Sequence, residues 1–190
     1  MRFAPLLGVL VGVGLIAAGL ACLYLVMRAV GLENGGTCVS GGPYEIAPGH
    51  ECQEGVFALG FGGAFSLIVG FLILLWGSHR HGGPLVVTSM SGFSWSAFMG
   101  GLGGSFLSIA SEMPGPSDTI SEFNTVGAVF AVMGAVGLAV AFGPILYSLQ
   151  GRPLNYPKPS LLAWAAWLAA AAVGAGLGLA ALAFGGNILE

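Results

Sequence analysis

The sequence predicts an all-α fold: a polytopic transmembrane helical bundle of five spans, N-terminus inside and C-terminus outside. Three observations predict it. Only 7% of the 190 residues are charged while 56% are hydrophobic, against about a quarter charged in a soluble domain. So few charges cannot cover a water-facing surface, and lipid must face most of it. The apolar residues also gather into long uncharged runs separated by short polar connections, and the connections alternate in charge sign along the chain. Residues 1–190 read as a single integral membrane domain.

The first run, residues 5–27, exceeds the roughly 20 residues that a spanning helix needs. Its rival is a cleaved signal peptide, because Arg2 precedes the apolar stretch. The stretch from Ala17 to Cys22 has some features of a lipoprotein cleavage site. However, Leu20 and Ala21 stand in the wrong order, and Leu23 to Met27 prolong the run beyond Cys22. Cys22 therefore reads as a small buried hydrophobe. Residues 28–55 form an external loop. The second run, 56–76, ends on Trp76, a residue suited to the headgroup level. The connection from Gly77 to Pro84 is rich in Gly and carries His79, Arg80 and His81, so it reads as a basic turn.

The third run, 85–110, is apolar on average but crowded with Ser and Gly. A helix buried against neighbours tolerates that, since hydroxyls bond to helix carbonyls and glycines allow close approach. A re-entrant or broken helix is the alternative. An acidic connection with Pro114 and Pro116 follows. Asp118 or Thr119 with Glu122 offers a capping box that would start a helix before the fourth run, 125–146. After a proline-rich connection, the fifth run, 160–184, opens with Trp164 and Trp167 and continues in Ala and Gly.

Charge placement tests the count. With five spans, Arg2, Arg80, Arg152 and Lys158 fall on one side. Glu33, Glu45, Glu51, Glu54, Glu112, Asp118, Glu122 and Glu190 fall on the other. Cytoplasmic connections are enriched in Lys and Arg, which orients the chain. Arg28 is the exception, and its long side chain can snorkel to the interface. Four spans, with the Ser/Gly-rich run demoted, would mix the signs.

That orientation puts Cys38 and Cys52 on the outer side, where disulfides persist. Closing a loop of about 15 residues stabilises by roughly 3 kcal/mol in the chain-entropy model. Gly41-Gly42-Pro43 and Pro48-Gly49 supply turns that bring the ends together. A redox or metal site built on His50, Glu51 and Cys52 is the weaker reading, because redox pairs usually stand as Cys-x-x-Cys and structural zinc wants four ligands. The run from Gly35 to Ile46, with Cys52 and Gly55, resembles the first external loop of small polytopic membrane proteins of high-GC Gram-positive bacteria. In that pattern Pro often follows the second cysteine; here it is Gln53. The match covers about twenty residues of 190, and the rest agrees only as hydropathy. The resemblance implies a location, the bacterial inner (plasma) membrane, and no mechanism.

No catalytic residue, metal site or cofactor is expected. His79 and His81 lack a nearby acid or thiol, and the glycine clusters Gly60-Phe61-Gly62-Gly63 and Gly100-Gly101-Leu102-Gly103-Gly104 lack a following Lys. Five Lys and Arg in all leave no phosphate-binding patch, so nucleic acid is excluded as a partner. The spans carry no Asp, Glu, Lys, Arg or His, which argues against proton-coupled transport. Small residues recur four apart: Gly8 and Gly12; Gly62, Ser66 and Gly70; Gly100 and Gly104; Gly127, Ala131 and Ala135; Gly174 and Gly178. Such faces let helices approach closely. They serve either a compact bundle or the docking of other membrane subunits or a second copy, with membrane lipid around the rest. The expected function is a non-enzymatic accessory or assembly subunit of a membrane or cell-envelope complex. The alternative is a channel or transporter for a small neutral or weakly polar solute, lined by the Ser/Gly-rich third run along Ser91, Ser94 and Ser96. Alkylation of Cys38 and Cys52 should require prior reduction, read as a mass shift on a non-reducing gel; free labelling of both thiols in intact cells would contradict the pairing.

Overall fold

The structure, a computed structural model, describes residues 3–33, 51–112, 117–150 and 159–180. Most of the external loop, including Cys38 and His50, lies outside them. So do Arg2, Pro114, Pro116, Arg152, Lys158 and the residues after 180. Among the described residues the chain is all-helical. Helix α1 spans Phe3–Arg28 and continues as a π-helical turn, Ala29–Glu33. Helix α2 spans Val56–Glu112, α3 spans Ser117–Leu149 and α4 spans Leu161–Leu179.

Four stretches are long and apolar enough to cross a membrane: Ala4–Leu32, Val56–His79, Ser117–Leu149 and Leu161–Leu179. At 1.5 Å per residue even the shortest approaches the roughly 30 Å of a hydrocarbon core. Their outward side chains are large and apolar, as with Phe61, 75% exposed, and Leu161, 71% exposed. Water would not tolerate a surface of that kind and lipid does. The chain is therefore a multi-pass membrane protein.

The connection expected between the second and third runs is not a loop. Helix α2 runs on through Gly77 and Ser78, and only Gly83 leaves helical geometry, at φ 66° and ψ −177°. Two causes meet there. Pro84 disfavours helical backbone in the residue before it, and the conformation adopted is one that glycine alone enters readily. Pro84 then begins the next helical stretch, where its missing N–H costs nothing. The Ser78 hydroxyl donates to the Leu74 carbonyl at 2.7 Å, and the Thr88 hydroxyl to the Pro84 carbonyl at 2.9 Å. Gly83 thus divides α2 into two arms, residues 56–82 and 84–112. The Ser/Gly-rich third run is helical throughout the second arm.

Contacts give the direction of each rod. Gly8 lies against Gly77, Gly12 against Gly70 and Leu74, and Gly19 against Gly63, so the first arm runs antiparallel to α1. Gly101 lies against Leu20, and Glu112 pairs with Arg28, so the second arm runs parallel to α1. Gly92 meets Ala141 and Gly103 meets Ala131, which makes α3 antiparallel to the second arm. Gly174 meets Leu10 and Gly14, and Gly178 meets Gly14 and Ala17, so α4 follows α1. The five rods alternate in direction.

Helix α1 packs on α2 and α4, and α3 packs on α2. The core gathers near the Gly83 end: Val9 of α1, Leu74, Leu85, Val86 and Met90 around the kink, and Trp164 and Trp167 of α4. Helix α3 starts at Ser117, with Asp118 in the first turn, where a negative charge suits the helix dipole. Helix α4 is capped by Ser160, whose hydroxyl accepts from the Ala163 amide at 3.1 Å. That bond satisfies one of the orphan donors of the first turn.

A side chain at Gly178 would collide with the Gly14 carbonyl and the Ala17 methyl, whereas one at Gly176 would meet nothing within 4 Å. Overpacking costs about 1–3 kcal/mol, and more against backbone. Gly178→Leu should therefore lower the yield and thermal midpoint of the purified protein, with Gly176→Leu close to wild type. Equal behaviour of the two would contradict this packing.

Candidate functional site

The residues singled out by spacing separate into two groups. Gly8, Gly12, Gly70, Gly174 and Gly178 stand where a Cβ would press on a neighbouring backbone. At Gly12 it would lie 2.7 Å from the Leu74 nitrogen, and at Gly70 2.7 Å from the Gly12 carbonyl oxygen. Gly100 differs from them: a Cβ on it would meet nothing within 4 Å, although its backbone is approached by α3, where a Cβ at Gly134 would lie 2.8 Å from the Gly100 nitrogen. Ser66 donates from its hydroxyl to the Leu15 carbonyl at 2.9 Å, tying the first arm to α1.

Gly62 and Gly104 form the second group. A Cβ on either would have nothing within 4 Å. The contacts fall one residue away, at Gly63 and Gly103. A Cβ at Gly63 would be 3.0 Å from the Gly19 carbonyl, and one at Gly103 2.7 Å from the Ala131 nitrogen. One residue is about 100° around a helix, so Gly62 and Gly104 turn away from these seams.

The period that carries the contacts is mostly seven, not four. Gly12 and Gly19 on α1 face Gly70 and Gly63 on the first arm, and Gly77, seven further on, faces Gly8. On α3 the stripe is Gly127, Gly134 and Ala141, with Gly137 beside it, and all four are buried. Seven residues make nearly two turns, so the stripe stays on one face along a shallow crossing. A search for small residues seven apart would have found these seams. A spacing of four also recurs among the described residues: in Gly8 and Gly12 against the first arm, in Gly127 and Ala131 against Gly103, and in Gly174 and Gly178 against α1.

Polar groups inside the bundle are used in the same contacts. The buried Ser89 hydroxyl donates to the Ala141 carbonyl of α3 at 2.8 Å. The Ser94 hydroxyl turns back to the Met90 carbonyl at 2.8 Å. The indole N–H of Trp164 donates to the Ser148 hydroxyl at 3.1 Å, and that hydroxyl donates to the Ile145 carbonyl at 2.7 Å. This chain joins the start of α4 to the end of α3. No buried side-chain nitrogen or oxygen among the described residues lacks a partner.

At the opposite end Arg28 and Glu112 form an ion pair, 3.4 Å apart and each about half exposed. The residue that breaks the charge pattern thus has an acid beside it. A surface pair of this kind stabilises by about 0–1 kcal/mol, so it orients more than it holds. Cys52 lies near this end, just before the start of α2 at Val56, and is not a free thiol. Its expected partner, Cys38, lies outside the described residues. Cys22 of α1 is free and half-buried. Among the described residues no group of three His, Cys, Asp or Glu side chains stands close enough to hold a metal.

Among the depressions on the surface of the described residues, two are of similar size. One, of about 560 Å³, lies open at the start of α3 beside Ser117, Ser121, Asn124 and Thr125. The other is an apolar groove of about 520 Å³ between the two arms of α2, floored by Ile16 and Leu23 of α1. No protein-family model, curated protein or solved structure matches the chain.

Proposed function

We propose that this protein is a non-enzymatic subunit of a membrane or cell-envelope complex, a scaffold that assists assembly rather than a carrier of chemistry. The single observation that carries the reading is how the polar atoms of the bundle are used. The hydroxyls of Ser66 and Ser89 bind neighbouring helices, and that of Ser94 binds its own. Ser96 lies with its backbone against Gly137 of α3. A third run spent on packing in this way supports a structural role over a pore lined by Ser91, Ser94 and Ser96.

In this proposal the chain crosses the bacterial inner membrane five times, N-terminus inside. The second arm of α2 is the third crossing. Its support is the alternation of rods together with the Arg28–Glu112 pair, which brings the far ends of the first and third crossings to one face. That face is the outer one, and it carries the Cys38–Cys52 disulfide. Partners are membrane lipid and other membrane subunits.

Purification in mild detergent followed by mass spectrometry of co-purifying proteins tests the role. A membrane protein recovered at about one copy per chain is expected. Recovery of the chain alone, together with solute flux in reconstituted vesicles, would overturn the reading in favour of the channel.

A further inference from the structure

The contacts between rods are of two kinds, and they sort the bundle into halves. Helix α1, the first arm of α2 and α4 meet through glycine: Gly12 against Gly70, Gly19 against Gly63, Gly174 and Gly178 against α1. The Ser66 hydroxyl bonds within that half to the Leu15 carbonyl. The second arm and α3 meet in the same way, through Gly92, Gly103, Gly134 and Gly137, with the Ser89 hydroxyl bonded to the Ala141 carbonyl. Contact between the halves is looser. A Cβ at Gly101 would meet only the tips of the Leu20 side chain, at 3.5 Å. The Arg28–Glu112 pair is half exposed. Two apolar clefts lie along the same boundary. The groove of about 520 Å³ has Ile16, Leu67 and Phe71 from one half and Trp95 and Phe98 from the other. A second cleft, of about 270 Å³, has Val26, Met27 and Val30 from one half and Phe106 and Phe123 from the other.

The chain passes from one half to the other at Gly83, and again in the connection after Gln150. Near Gly83 the halves pack closely, Leu74 with Leu85 and Val86, and the Trp164 indole N–H donates to the Ser148 hydroxyl. Both clefts lie farther from it, which is the distribution a pivot at Gly83 produces. The residue suits that role. At φ 66° and ψ −177° it is out of the helix, and a Cβ there would meet nothing within 4 Å. Neighbours therefore do not fix its torsions, and glycine has the widest range of them. Hinges are a few residues of this kind that absorb the change in backbone angle. Energetics point to the same boundary. In lipid, parting two apolar side-chain faces carries no hydrophobic cost. Parting a glycine seam would lose its close backbone contacts and leave buried hydroxyls unpaired. We propose that the two halves rock about Gly83 as rigid bodies, opening and closing both clefts within the bilayer. The proposal concerns motion alone and is independent of the accessory-subunit reading.

The test is pulsed electron–electron resonance on the full chain in lipid nanodiscs, with spin labels on introduced ketone side chains so that the native cysteines stay. Labels at the exposed positions Phe61 and Val129 span the two halves. Labels at Phe61 and Leu177 stay within the first half, and labels at Ala97 and Val129 within the second. The distance distribution between halves should be about twice as wide as either one within a half, as hinge motion requires. Gly83→Ala adds a methyl with no atom within 4 Å but disfavours the positive φ, so it acts on the pivot alone. It should shift the distribution between halves and leave the other two in place. Equal widths in all three pairs, no shift with Gly83→Ala, or a shift within either half would each overturn the proposal. The widths decide it even if Gly83→Ala does not fold.

Discussion

Backbone-to-backbone approach between helices holds this bundle together. In lipid, apolar side chains gain nothing from leaving their surroundings for one another, so association draws on dispersion, interhelical hydrogen bonds and lipid entropy. Dispersion is strongest where two backbones touch, and only glycine permits that. Along the α1–α2 seam Gly12, Gly19, Gly63 and Gly70 bring carbonyls and amides of opposing helices to distances that a Cβ would violate. The second arm and α3 repeat the device with Gly92, Gly103, Gly134 and Gly137. Composition rich in glycine, which in a soluble chain would signal loops, here specifies the tightest part of the fold.

Hydrogen bonding follows from the same close approach. Once helices nearly touch, a serine hydroxyl on one reaches a carbonyl on the other, as Ser66 reaches Leu15 and Ser89 reaches Ala141. The second of these lies one residue from Val140, whose carbonyl has no helix donor because Pro144 has no N–H. Serines that would be costly facing lipid thereby become crosslinks between rods. The third run, with the most Ser and Gly, sits centrally in contacts, against α3 along most of its length and against α1 at Gly101 and Glu112.

Much of this was legible in the residues. Runs of apolar side chains located every helix, because length and lack of charge are properties of the chain itself. The early start of α3 was visible in the polar residues around Asp118, but the helix begins at Ser117, so Asp118 and Thr119 lie inside it and neither is its cap; the cap of α4 falls at the first residue of its run, Ser160. What failed was the rotation of the helices. Spacing by four placed Gly62 and Gly104 at contacts that belong to Gly63 and Gly103, since a one-residue offset cannot be seen without the partner helix. The reversal after the second run was also misplaced. Glycines and histidines between Gly77 and Gly82 read as a turn, yet backbone hydrogen bonding continues through them until Pro84 forces Gly83 out of the helix. The arms of α2, and the groove between them, follow from that single residue. No sequence pattern announces the groove, because its lining comes from three rods that meet only in space.

An alternating bundle requires the second arm of α2 to cross the bilayer as a full rod. Single cysteines at its two ends, in a chain lacking the native ones, measure this most directly with a membrane-impermeant thiol reagent. Glu112→Cys should label in intact cells, and Gly82→Cys only after lysis. Labelling of both from the same side would show that the arm returns to the face it left, and the alternating bundle would be wrong.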